Sequence, residues 1–264
     1  MLQGLPERTA SEAIYLLVGT LPVEGLLHLR TLSMLGSILR QPGTTLHMLA
    51  HRQLALHTKG SWFSYCRSLC IQYDLPDLNC LLGNELTKRK WKTLTDKAVH
   101  AFWHSKLINS MQEKSTLKYL ECTGTTFQPH PIWYFCEPTS RCVKASHIRA
   151  KLVSGTYPLQ EHMARLNPSL PKTCPMCKLE SEDTIHFILK CPQTASCRNR
   201  HLQPILSSLE QEDIQKPEDD SSLVKLILNS PSPAKSNRRA IRSSFYHSFN
   251  KMCIIKKKNL SILA

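Results

Sequence analysis

The chain has 264 residues, of which 41% are hydrophobic, with 34 Lys and Arg against 20 Asp and Glu and a net charge of +14. That is enough apolar material for a real core in one or two domains, while 9 glycines are too few for a glycine-rich phosphate cradle. The positive excess favours polyanions as partners and is silent about fold.

In chain order, most segments carry helix signals. TASE (Thr9–Glu12) reads as a capping box, and Gly19 ends the short helix it opens. Pro22 suits the first turn of the next helix, which is apolar at Val23, Leu26, Leu27, Leu29, Leu32, Leu35, Ile38 and Leu39, on more than one face. QPG (Gln41–Gly43) stops it. Helices are predicted over 45–57 and 61–73, and a long one over 89–111 with Leu94, Ala98, Phe102, Ser105 and Ile108 along one face. TGTTFQPHPIWYFCEPTS is a loop or holds a short strand. SRCVKASHIRAKLVSG returns to helix and closes at Gly155, and helix resumes over 195–209. The acidic linker containing Asp219 and Asp220 then leads into two short helical segments.

The expected fold is mostly α, an irregular helical array with a small metal-binding segment and a basic helical tail. Its divisions are 1–112 (helical region), 113–170 (linker and helix), 171–203 (Cys/His segment), 204–222 (acidic linker) and 223–264 (basic tail). The chain shows no secretory n-region, and its longest early apolar run, Ala13–Val18, is too short to span a bilayer. Eleven cysteines without such a signal point to a reducing interior, nucleus or cytoplasm, where paired cysteines more often mean metal than disulfide.

The strongest motif is TCPMCKLESEDTIHFILKCP, in which Cys174, Cys177, His186 and Cys191 follow the order Cys-x2-Cys-x8-His-x4-Cys. A tight thiolate pair followed by a second pair suits tetrahedral zinc. Five positions apart on a regular helix, His186 and Cys191 would diverge by about 140°. Pro192 disfavours the α conformation at Cys191 and lets it swing back. Cys197 and His201, four apart on the next helical pattern, compete for the fourth place. The other reading makes these cysteines small core hydrophobes, the reading preferred for Cys66 and Cys70 beside Trp62, Phe63 and Leu69. No histidine is followed two residues later by glutamate, which excludes zinc-deaminase chemistry. Four protein ligands leave no open position, so the expected zinc is structural and the expected protein is not an enzyme.

The basic charge is uneven. From Ser221 to the C-terminus nine basic residues occur without an acid: Lys225, Lys235, Arg238, Arg239, Arg242, Lys251, Lys256, Lys257 and Lys258. Lys88, Arg89, Lys90 and Lys92 surround Trp91, and Arg198 and Arg200 follow the Cys/His segment. Cations beside an aromatic can grip phosphates while a base stacks, so these are the candidate RNA- or DNA-binding residues. Trp91 is equally readable as a core anchor with solvated lysines around it. No membrane and no small-molecule substrate is expected.

ESEDTIHFILKCP resembles the Glu-Thr-x-x-His-hydrophobic-x-x-x-Cys-Pro segment after a Cys-x2-Cys pair in non-LTR retrotransposon reverse transcriptases, downstream of their polymerase domain. LPERTASEAIYLLVGTLPVEGLLHLRTLSMLGSILR, SWFSYCRSLCIQYDLPDL and HIRAKLVSGTYPL are similar to the stretches preceding that segment. The resemblance implies Cys174, Cys177, His186 and Cys191 as zinc ligands, template RNA or target DNA as partner, and a polymerase domain on a parent polyprotein. Neither the Tyr/Phe-x-Asp-Asp polymerase motif nor an acidic endonuclease core occurs, so those activities do not carry over. Read as a fragment, the chain is expected to leave part of its first forty residues uncovered where a polymerase would pack. The competing expectations are a zinc-stabilised helical protein-interaction module and a non-functional remnant.

Overall fold

A computed structural model describes residues 4–56, 59–78, 81, 87–122, 124, 126–134, 136, 138–202 and 217–229. These are mostly helical, without a strand among them, and carry one isolated bridge between Thr173 and Ser181. The helices are α1 (Ser11–Val18), α2 (Val23–Leu39), α3 (Thr45–Ala55), α4 (Trp62–Gln72), α5 (Lys88–Gln112), α6 (Pro131–Tyr134), α7 (Ser140–Val153), α8 (Gln160–Leu166), α9 (Ala195–His201) and α10 (Asp220–Asn229). The predicted basic tail beyond residue 229 lies outside the described residues. No single helix among them is long and apolar enough to cross a membrane.

The chain divides into two compact units. One comprises Gly19–Ser110 and Gly124–Gln128. Here α2, α3 and α4 pack together, and α5 lays its aromatic face on the same core. Two glycines permit this. A Cβ at Gly25 would lie 2.9 Å from the Trp103 ring, and one at Gly36 would overlap the ring of Trp91. Trp91 is therefore buried, with its indole N–H donating to the Leu32 carbonyl at 2.8 Å, and is the core anchor rather than a base-stacking platform. Tyr73 joins the helices through a polar bridge: Trp103 Nε1 donates to its hydroxyl at 2.9 Å, and that hydroxyl pairs with His28 Nδ1 at 2.5 Å. Cys66 and Cys70 are buried in this core, and burial pushes both thiols up to about 12.

The predicted face of the long helix is corrected. The buried line is Trp91, Thr95, Val99, Trp103 and Leu107, while Leu94 is 37% exposed and Ser105 faces solvent. The helix is turned by about one residue, roughly 100°, because two tryptophans carry more apolar area to bury than a leucine and an isoleucine. On α2, burial falls on the Gly25, His28, Leu32, Leu35 and Gly36 side, and Val23, Leu26, Leu27 and Met34 are left exposed. That is the uncovered apolar surface expected in the first forty residues.

The other unit comprises Met1–Val18, Met111–Thr123 and Pro129–Ala264. Helix α1 begins at Ser11; the Thr9 hydroxyl donates to the Pro6 carbonyl at 2.7 Å, and Glu12 pairs with Lys114 at 2.7 Å. The TGTTFQPHPIWYFCEPTS stretch forms no strand in its described part, only the single helical turn α6. Helix α7 is capped by Thr139, whose hydroxyl accepts the Cys142 amide, and ends before Gly155 at φ +63°. A side chain at Gly155 would also meet the Thr116 carbonyl at 2.5 Å, so only glycine fits.

Asp219 and Asp220 do not extend the linker. Asp219 caps α10 by accepting the Ser222 amide at 2.7 Å, and Asp220 opens that helix and pairs with Lys190 at 2.9 Å. Helix α10 buries Leu223, Val224, Ile227 and Leu228, packing on α7. Its last residue, Asn229, is a polar clamp: it donates to the Tyr119 carbonyl at 2.7 Å and accepts the Glu121 amide at 3.1 Å. His130 Nε2 donates towards Asn229 Oδ1 at 3.2 Å and the Glu121 carbonyl at 3.0 Å, while its Nδ1 accepts the Ile132 amide at 3.3 Å. Both ring nitrogens are thus occupied in the neutral form.

Burial, reinforced by Arg149, drives the His130 pKa down to about 4. Below its unfolded value near 6.5 the unfolded chain takes up a proton that the folded chain refuses. Stability is therefore full above pH 6.5 and falls towards pH 4, by up to about 1.4 kcal/mol per pH unit from this one group. Urea unfolding across that range should show a steeper pH slope in the wild type than in His130→Gln.

Candidate metal centre

Cys174 and Cys177 sit on a tight loop whose ends are tied by backbone. The Cys174 amide donates to the Glu180 carbonyl at 2.8 Å, and the Glu182 amide to the Lys172 carbonyl at 2.9 Å. The chain reverses at Lys178, whose amide donates to the Cys174 carbonyl at 2.8 Å and whose φ is +59°, in the left-handed region. A lysine tolerates that region only when its surroundings hold it there.

His186 and Cys191 are joined by a different device. Asp183 accepts the His186 amide at 2.6 Å, and the chain then winds as a π-helix over His186–Lys190. The Cys191 amide donates to the His186 carbonyl at 2.7 Å, five residues back. A π-turn brings residues five apart onto nearly the same side, where an α-helix would separate them. Cys191 itself leaves the helix at ψ 121°, as the following proline predicts. Its carbonyl is held by the Thr194 hydroxyl at 3.0 Å and the Arg198 guanidinium at 3.1 Å. Phe187 and Ile188 are buried, Phe187 stacking against Tyr157 with ring centres 5.8 Å apart, which anchors the turn to its unit.

These two devices converge. The donor atoms of Cys174, Cys177, His186 and Cys191 all lie within 4.8 Å of one another, and this is the one such group of three or more His, Cys or acidic side chains among the described residues. The sulfurs of Cys174 and Cys191 are 3.9 Å apart, and Cys177 Sγ is 3.3 Å from His186 Nε2. All but Cys177 are buried. Burial pushes the Cys174 thiol up to about 12 against opposing amides from Cys177 and Met176. At Cys177 burial acts upward, but the amides of Leu179 and Glu180, with Cys174 and His186, outweigh it and bring the thiol down to about 7. Backbone N–H groups aimed at sulfur favour thiolate, the form that binds a cation. The four residues can therefore hold a metal ion.

Several participants were not read from the sequence. Glu180 Oε2 lies 3.1 Å from His186 Nδ1. Glu182 is fully buried, its carboxylate accepting the Gln160 amide at 2.8 Å at the start of α8. The carboxylate-rich ESED run between the ligand pairs was the available signal.

The other candidate residues are dispersed. Lys88, Arg89, Lys90 and Lys92 are exposed on the first turns of α5, after Thr87, whose hydroxyl accepts the Lys90 amide. Arg200 is exposed, whereas Arg198 is half-buried and bonded to Cys191 and Thr194. Arg238, Arg239, Arg242, Lys256, Lys257 and Lys258 lie outside the described residues, as do the side chains of Cys197 and His201.

Compared with protein-family models, curated proteins and solved structures, the chain matches none.

Purified wild-type protein should carry one metal ion per chain by elemental analysis. Cys174→Ser and Cys191→Ser should each lose it, while Cys197→Ser should keep it.

Proposed function

We propose that this chain is a non-catalytic nucleic-acid-binding module whose Cys/His segment is organised by structural zinc. The observation that carries the reading is the convergence of three sulfurs and one imidazole nitrogen within 4.8 Å, followed closely in the chain by Arg198 and Arg200 and, after the acidic stretch, by the acid-free basic segment. Two zinc–sulfur bonds of about 2.3 Å at a tetrahedral angle place the sulfurs ~3.8 Å apart. The observed separation of 3.9 Å fits that geometry. A thiolate-rich set with one imidazole suits zinc over the hard cations, which take oxygen. With all four positions filled by protein, the ion's work is to fold the loop, and binding energy on the order of 10 kcal/mol enters stability there.

Polyanion binding is supported by where the cations stand. Lys88, Arg89, Lys90 and Lys92 crowd the N-terminal end of a 25-residue helix with no acid in its first turn. Positive charge at that end opposes the helix dipole, and an approaching phosphate relieves the repulsion. Arg200 and the terminal basic residues supply further phosphate contacts. Arg198 contributes through the metal loop, since its guanidinium braces Cys191. On this reading the chain resembles the region after the polymerase in non-LTR retrotransposon reverse transcriptases and serves to hold RNA or DNA.

One observation favours a second reading. Val23, Leu26, Leu27 and Met34 form an exposed apolar surface on α2, which suits a protein partner in a zinc-stabilised interaction module.

A filter-binding titration with single-stranded RNA and duplex DNA separates the two. The nucleic-acid reading predicts affinity falling by several log units per log unit of salt, with a slope reduced by ~2–4 when Lys88, Arg89, Lys90 and Lys92 become alanine. Absence of binding at low salt would favour the protein-partner reading.

A further inference from the structure

We infer that Glu180 is the positioning residue of the metal centre, holding His186 as the tautomer that offers Nε2 to a divalent ion. The inference rests on the zinc reading above and names how the site is set.

The imidazole of His186 has one nitrogen on each side of this assignment. Nε2 faces the ligand cluster, 3.3 Å from Cys177 Sγ, and Nδ1 faces away, 3.1 Å from Glu180 Oε2. A neutral imidazole carries one proton, and an ionised carboxylate can only accept. The contact therefore places the proton on Nδ1 and leaves the Nε2 lone pair free for metal. A carboxylate on the far nitrogen also makes the ring a better donor and stops it from rotating.

Glu180 reaches the other ligands through its backbone. Its carbonyl accepts the Cys174 amide at 2.8 Å, and its own amide is directed at the Cys177 sulfur. One residue thus contacts three of the four candidate ligands, and the point from which its side chain reaches His186 is set by the two backbone ties. The neighbouring carboxylates have other partners: Asp183 holds the His186 amide, Glu182 caps α8, and Asp220 pairs with Lys190. The Glu180 side chain is 63% exposed, so replacing it opens no cavity. Its effect should appear in metal retention rather than in the helical core.

The test uses the full chain loaded with zinc. Affinity is measured by competition with a chromophoric chelator, and the His186 imidazole proton is followed by NMR. The inference expects Glu180→Ala to weaken zinc binding by about 10–100-fold. It also expects the Nδ1 proton, slow to exchange in the wild type, to exchange rapidly in that variant. Glu180→Gln keeps an acceptor oxygen but not the charge, so it should preserve the protected proton and lose less affinity than alanine. This graded order is not what a general folding defect produces, and unchanged helical circular dichroism checks the rest of the chain. Wild-type protein that binds zinc, with Glu180→Ala binding it equally and keeping the protected proton, overturns the inference and leaves the zinc reading standing. Wild-type protein that takes up no zinc overturns both.

Discussion

Two Cys/His pairs meet with their donor atoms within 4.8 Å, and the backbone around residues 172–194 takes the shape that brings them together. The first pair needs a reversal so tight that Lys178 enters the left-handed region. The second needs residues five apart to share a side, which an α-helix denies and the π-turn over His186–Lys190 supplies. Neither conformation is the cheap choice for its residues. The first is held by the Lys178 amide on the Cys174 carbonyl, the second by Asp183 on the His186 amide and by three donors on the Cys191 carbonyl, from Thr194 and Arg198. Local geometry of this kind, satisfied so completely, is consistent with a segment built to receive a cation.

The metal loop is tied to its unit on two sides. Phe187 and Ile188 sink into the apolar interior, and Glu182 fastens the loop to the start of α8. On the other side Lys190 reaches Asp220, and the π-turn packs on α10. That helix is in turn locked by Asn229, held by Tyr119, Glu121 and His130.

How much of this was legible in the sequence depended on whether neighbours in the chain or distant residues set each feature. The helices, the stop at Gly155 and the four Cys and His residues that could hold a metal ion follow from local chemistry and spacing. So did the departure of Cys191 from the α conformation, which Pro192 dictates by sterics alone. The π-turn was missed because the five-residue spacing was resolved by proline only, when backbone winding shares the task. The face of α5 was placed wrongly because two tryptophans outweigh the apolar periodicity of smaller residues, and glycines at 25 and 36, on another helix, decide where those rings fit. Asp219 reads as linker composition but acts as a helix cap. Asn229 acts through contacts over about a hundred residues that no local pattern encodes, and the ESED run that holds Glu180 does not itself say which of its carboxylates reaches His186.

The central claim is that three sulfurs and one imidazole surround a single zinc ion. X-ray absorption at the zinc edge of the purified, loaded chain tests it most directly. The account predicts three sulfur scatterers at about 2.3 Å and one nitrogen at about 2.0–2.1 Å, with the outer-shell pattern of an imidazole ring. A first shell of oxygen and nitrogen alone, or one with fewer than three sulfurs, would contradict it.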